Sequence, residues 1–357
     1  MMTNPIWKNE EQSGYALRSL YRGYGYIPYK MSRFEEYDLY VRNKDFLVSD
    51  QIITFSDRSG RLLALKPDVT LSIVKNAPEE ANVVQKVYYQ ENVYRDYREI
   101  LEAGLECVGD LSDYEIAEVV LLAARSLQLL GGRWVLDISH MGLLAAVLEG
   151  SGLSREQQGR AMECLHRKNY GELETLCGDD EAWTKLSAIA ACRGGREALE
   201  RLEKLLTTEA ERLALNQLKG LWKILEASGC GDSVRLDFSV GNNMGYYSGV
   251  VFRGYLEGIP ASILSGGQYD KLPQKMGRKA KAIGFAVYLG LLENRDRLED
   301  AFDVDTLILH DGSADPMELM AAAEKAAGAG TVLVTRGLPK GRKWKQLLRF
   351  EKGAWVR

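Results

Sequence analysis

Histidine is scarce in this chain, three residues in 357, and cysteine is little commoner at five. His140, His166 and His310 share no spacing that suits a metal site or an acid/base relay, which leaves them structural or surface roles. The cysteines, Cys107, Cys164, Cys177, Cys192 and Cys230, are odd in number, widely spaced and without a Cys-x-x-Cys pair. That pattern argues against a disulfide framework and a zinc site, and points to a reducing cytoplasm. No apolar run approaches the roughly 20 residues that cross a bilayer, and residues 1–12 are polar and acidic where a secretion signal is basic and then apolar. Neither charge dominates. Lys plus Arg at 46 against Asp plus Glu at 50 give a net −4, so no global basic field favours a nucleic acid. No repeat or low-complexity tract is present.

The 46% apolar content can fill a sizeable core at this length. Residues 14–148 read as an α+β unit, because helical periodicity gives way to Tyr- and Val-rich strands and then returns. Ser112-Asp113-Tyr114-Glu115 is a capping box, Ile116, Val119, Val120, Ala123, Leu127 and Leu130 form one helical face, and Gly131-Gly132 is the stop. A strand over 134–138 and a helix from 143 follow. Residues 151–229, rich in Glu, Leu, Ala, Arg and Lys, predict a helical insertion between two halves of a sheet domain. Strands return over 234–240 and 250–256, with a turn at Glu257-Gly258-Ile259-Pro260 before 261–264, and read as a long hairpin. The division expected is a domain over 1–302 and a small α/β segment over 303–357, too short for a comfortable core of its own. Its ending is basic, with Arg336, Lys340, Arg342, Lys343, Lys345, Arg349, Lys352 and Arg357 against Glu351. A solvated face is the simpler reading of that stretch, and a phosphate or acidic-protein contact the sharper one.

Chemistry concentrates in a few segments. Alternation over residues 100–106 places Glu102, Gly104 and Glu106 on one strand face and Leu101, Ala103 and Leu105 on the other. Two carboxylates on one face raise each other's pKa unless a cation lies between them, so the pair suits an ammonium, a basic side chain or a metal, or else a solvated sheet face. Lys66-Pro67-Asp68-Val69-Thr70 is a proline-directed turn into a short helix, where Asp68 and Thr70 equally suit capping.

Leu65-Lys66-Pro67-Asp68-Val69-Thr70 is similar to the Leu-Arg-Pro-Glu-x-Thr pattern of the histidyl-tRNA synthetases, with an acid one methylene shorter. Residues 87–98 resemble motif 2 of class II aminoacyl-tRNA synthetases, and Arg95 matches the arginine that holds the ATP α-phosphate. The loop that follows it in those enzymes shrinks here to Asp96-Tyr97 before Arg98. Met244-Gly245-Tyr246-Tyr247 is similar to the family's Arg-Gly-Leu-Asp-Tyr-Tyr, with Asn242 at the arginine position. Ser265-Gly266-Gly267-Gln268-Tyr269-Asp270 matches its glycine-rich strand end, where backbone approaches ligand. Residues 282–292 resemble motif 3, whose arginine aligns with Leu291.

The resemblance implies a class II synthetase-like antiparallel sheet flanked by helices. It also implies a histidine pocket in which Asp68, Thr70, Glu102 and Glu106 face the ammonium and Tyr246, Tyr247 and Tyr269 shape the space around the ring. Glu102 stands where glutamine is usual, and Arg95 and Arg98 are the vestigial phosphate-binding candidates. Each missing charge-stabilising donor costs about 10² to 10³ in rate, so two absences leave little synthetase chemistry. Within the family the pattern best resembles the regulatory subunits of ATP phosphoribosyltransferase. That implies no catalysis, no cofactor, no metal and no tRNA. It implies instead a short catalytic subunit as partner, a homodimer within a hetero-oligomer, and histidine as feedback effector. The alternatives are a divergent histidyl-tRNA synthetase and a free-standing amino-acid sensor or ligase on the same fold.

Overall fold

The computed structural model describes residues 9–47, 51–78, 83–178, 181–241, 245–292, 302–352 and 354–356. The chain divides into two compact units, Met1–Glu293 and Asn294–Arg357. No helix among the described residues is long and apolar enough to cross a membrane.

The first unit is built on a nine-stranded sheet. Toward one edge it holds the hairpin of Val84–Arg95 and Arg98–Gly109, closed by Asp96 and Tyr97, both at positive φ (50° and 59°). A two-residue turn with both residues left-handed matches the twist of the strands, so the loop expected to be short has the minimum length that joins them. Next across the sheet come Lys281–Tyr288, Leu264–Gln268, Val250–Leu256 and Trp134–His140, each antiparallel to its neighbour. The sheet is mixed at its margins, where Ile27–Pro28 runs parallel to Val84–Arg95 and Val234–Asp237 parallel to Trp134–His140. Two expectations shift here. The hairpin expected around residues 257–260 forms, with Gly258 at φ +86°, but its second strand is Leu264–Gln268 rather than 261–264, and the strand expected over 234–240 ends at Asp237.

One sheet face is covered by the helix Asp113–Leu130, whose capping box is formed by Ser112 and Glu115 and whose end is marked by Gly131 at φ +76°. Leu122, Ala123 and Leu127 pack with Ala103, Leu105 and Cys107 in the main core. Burying a leucine side chain of this kind contributes about 1.5–3 kcal/mol. Gly254 lacks a side chain where Leu127 fills the space. The opposite face is therefore left for Glu102, Gly104 and Glu106, as alternation requires.

Residues 151–229 hold five helices, Arg155–Arg167, Tyr170–Cys177, Glu181–Ala190, Arg196–Glu203 and Glu209–Ala227, with the short strand Arg193–Gly194 among them. Glu211, buried, accepts from Lys185 Nζ at 2.9 Å and from the amides of Thr207 and Thr208 at 2.8 and 2.9 Å. Removing Glu211 leaves the two amides without their acceptor and the buried Lys185 with only the exposed Glu181, at 3.0 Å, to balance its charge. Glu211→Ala is expected to cost about 3 kcal/mol in urea unfolding, and a loss under about 1 kcal/mol would show the pair to be solvated.

The second unit is a four-stranded sheet in which Val304–His310 lies between Val332–Thr335 and Trp344–Glu351, parallel to both, with Ala354–Val356 antiparallel at the edge. The helix Pro316–Ala327 connects its first two strands. Val304, Leu307, Ile308 and Phe350 are buried. The basic ending supplies two of this unit's strands, with Phe350 buried and Lys345, Arg349 and Lys352 exposed.

Candidate functional site

The open face of the central sheet carries a cavity of about 60 Å³, room for about two waters. Strand register explains its contents, since residues directly paired across strands share a face. Glu106 is paired with Gly284, which is paired with Gly267. One step along, Tyr89, Gly104, Ala286 and Ser265 form the next row. Beyond it Glu91, Glu102 and Tyr288 form a third. The floor is thus glycine and alanine, and the polar side chains rise at its edges. A Cβ on Gly284 would enter the Glu106 carboxylate, and one on Gly267 would meet the Tyr247 ring at 2.8 Å.

Glu106, 2% exposed, accepts a hydrogen bond from Thr70 Oγ1 at 2.7 Å and another from the Tyr269 hydroxyl. Burial dominates its ionisation and pushes the carboxyl up to about 8; the two hydroxyls oppose the shift and neighbouring Asp68 adds to it. Asp68 caps the helix Thr70–Lys75 by accepting from the Leu71 amide at 2.8 Å, and burial raises its pKa as well. Asp68 thus accepts from the first turn of a helix and also lines the cavity. Tyr246 packs against Tyr247 and Tyr269 at ring separations of 4.6 and 5.7 Å, closing one wall.

Arg95 is buried and ion-paired with Glu102. Lys66, also buried, donates to Glu91 at 2.6 Å. The cation expected between the carboxylates is thus present for Glu102, while Asp68 and Glu106 look into the cavity beside hydroxyls. A wall with two acids, donor hydroxyls and aromatic rings suits a small organic cation.

The structure brings Asp68, Thr70, Arg95, Glu102, Glu106, Tyr246, Tyr247 and Tyr269 together around this one cavity. Arg98 is apart: it is exposed at the hairpin turn and does not line the cavity. Tyr89 and Tyr288, given no role from sequence, do line it. Period-two counting from Glu91 and from Gly284 would have marked both. Leu291 lies half-buried in the single turn Leu289–Leu292, whereas Asn242 lies outside the described residues. Of the histidines, His140 caps the helix Met141–Glu149 through Nδ1 and contacts Gln217 at 3.0 Å, and burial lowers its pKa to about 4. Among the described residues no group of three or more His, Cys, Asp or Glu side chains is arranged to hold a metal ion.

A mixed sheet with a motif 2 hairpin, a glycine floor and paired acids over it defines a class II aminoacyl-tRNA synthetase-like module. The histidyl-tRNA synthetase family pattern matches residues 2–292. The ATP phosphoribosyltransferase regulatory subunit of Syntrophotalea carbinolica is 30% identical over 83% of this chain and 74% of its own length. That of Bacillus pumilus is 28% identical over 93% and 88%. A crystal structure from Bacillus halodurans, described as an ATP phosphoribosyltransferase regulatory subunit/histidyl-tRNA synthetase, superposes with a TM-score of 0.74 at 25% identity, covering 99% of this chain and 97% of that one. The chain belongs to the histidyl-tRNA synthetase family, in its branch of ATP phosphoribosyltransferase regulatory subunits.

Proposed function

We propose that this chain is the non-catalytic regulatory subunit of a cytoplasmic ATP phosphoribosyltransferase. It assembles as a homodimer with a short catalytic subunit that condenses ATP with phosphoribosyl pyrophosphate, the first step of histidine biosynthesis. Its cavity binds histidine as feedback effector, with the ammonium at Asp68, Glu106 and Thr70 and the ring among Tyr246, Tyr247 and Tyr269. The observation that carries this reading is the Arg95–Glu102 ion pair. It neutralises the arginine that an adenylating enzyme needs on the α-phosphate, while the acids that suit an ammonium keep their place beside the cavity. Histidine then acts by linkage: it binds the conformations of the complex unequally and biases the population toward the less active one, a coupling typically worth about 5- to 150-fold.

The test is phosphoribosyltransferase activity of the short catalytic subunit from the same organism, alone and with this protein, with histidine-dependent pyrophosphate exchange by this chain as control. Activity that appears on mixing and falls with histidine, without exchange, is the expected result. Robust exchange without activation would make the chain a synthetase.

A further inference from the structure

Beside the carboxylate-lined cavity lies a second, of about 560 Å³, and Tyr246, Tyr247, Ser265, Gly266 and Tyr288 line both. Arg253 lines only the second. It extends the row Gly104, Ala286, Ser265 by one strand, since Arg253 is paired with Ser265 in the antiparallel register. Its guanidinium is therefore presented on the same sheet face as the candidate pocket, and paired side chains start only about 5 Å apart. Ser265 Oγ and the Tyr288 hydroxyl are hydrogen-bonded at 2.6 Å, so two hydroxyls stand between Arg253 and Glu102. Tyr247 is within Arg253's electrostatic reach, and the arginine opposes the rise that burial imposes on its hydroxyl.

The two arginines that line these cavities differ in one respect. Arg95 is committed to Glu102. The Arg253 side chain has no ion pair or hydrogen bond among the described residues. The acid paired with it in register on its other side, Asp137, is held by Arg235 at 3.0 Å. A half-buried guanidinium with its forked donors unused, next to hydroxyls and a wide cavity, is built for an oxyanion.

We propose that Arg253, with Ser265, Tyr247 and Tyr288, forms an oxyanion subsite adjoining the carboxylate-lined pocket. The inference deepens the amino-acid reading of the same site, because it supplies the opposite charge that a zwitterion requires at its other end. The oxyanion is either the carboxylate of the molecule whose ammonium lies at Asp68 and Glu106 or a phosphate group seated beside it.

Titration calorimetry of the full chain separates these sources, using L-histidine, L-histidinol, which carries a hydroxymethyl group in place of the carboxylate, and inorganic pyrophosphate. Arg253→Gln is compared with wild type, and Arg253→Lys retains charge without the fork. For a carboxylate, Arg253→Gln should lower histidine affinity at least about tenfold, leave histidinol unchanged and collapse the ratio between them, with Arg253→Lys intermediate. For a phosphate, pyrophosphate affinity should fall by a similar factor while that ratio stays put. If Arg253→Gln changes neither histidine nor pyrophosphate binding, the subsite is wrong. If neither histidine nor histidinol binds wild type, the amino-acid reading of the pocket fails, and the pyrophosphate comparison alone decides whether Arg253 holds an oxyanion.

Discussion

Glu106→Gln is expected to weaken histidine binding by about 10²- to 10³-fold, with thermal stability at neutral pH unchanged or higher. The amide has the shape of the acid and can still bond Thr70 and Tyr269, but it cannot offer a buried negative charge to an ammonium. The sign of the stability change follows from the direction of the shift. A carboxyl raised from its ordinary 4.5 to about 8 makes the folded state the better proton acceptor. Its stabilising contribution is full below about 4.5 and is lost as pH rises through about 8, and glutamine removes that loss. The same shift predicts proton release on binding. Near pH 7 the free pocket holds most of a proton on Glu106, and an incoming ammonium requires the carboxylate. Wild-type affinity should therefore climb toward pH 8, with calorimetry in buffers of different ionisation enthalpy showing up to one proton released in excess of that seen with Glu106→Gln. Histidine's own ring ionises in this range, so the difference between the two proteins is the informative quantity. Equal affinity in the two would remove Glu106 from the site.

Gly284→Ala is expected to do more damage than its single methyl suggests: about 2–3 kcal/mol of stability and more than 100-fold in histidine affinity. The added Cβ would enter the Glu106 carboxylate and approach the Leu105 carbonyl oxygen at 2.6 Å, so a buried strand and the acid must both move. Gly220→Ala is the matched control. Gly220 is exposed within the helix Glu209–Ala227, with open space around its missing side chain, and alanine there should stabilise by about 0.5–1 kcal/mol. Denaturant unfolding and histidine titration of both variants check the contrast. A Gly284→Ala protein that binds like wild type would mean that the floor of the site yields.

Residues close in sequence were the most legible. The helix Asp113–Leu130 starts at its capping box and ends before Gly131, because caps and stops depend on backbone groups within one turn. The sharing of a face by Glu102 and Glu106 followed from alternation, which is a property of any strand. Strand partners were less legible. Val234–Asp237 runs parallel to Trp134–His140, nearly a hundred residues earlier, and no local pattern announces that partner. Arg98, close to Arg95 in sequence and paired with it across the turn, is nevertheless exposed at the hairpin tip. The motif pattern brought it to attention, but motif order carries no information about which side chains at a hairpin end fold inward.

The amino-acid sequence was enough to establish an α+β chain of the class II synthetase type, with two acids on one strand face and a glycine-rich floor beside them. These follow from local periodicity and from the order of short motifs, neither of which requires long-range geometry. Which charges are spent and which are free was decided in three dimensions. Arg95 closes onto Glu102, Tyr269 and Thr70 both turn to Glu106, and Arg253 comes level with Ser265 without a partner. Each of these pairings depends on the register between strands or on the seating of a turn against the sheet. A slip of one residue would send Arg95, Glu102, Glu106 or Arg253 to the opposite face of its strand, and only the packing of the whole unit holds that register.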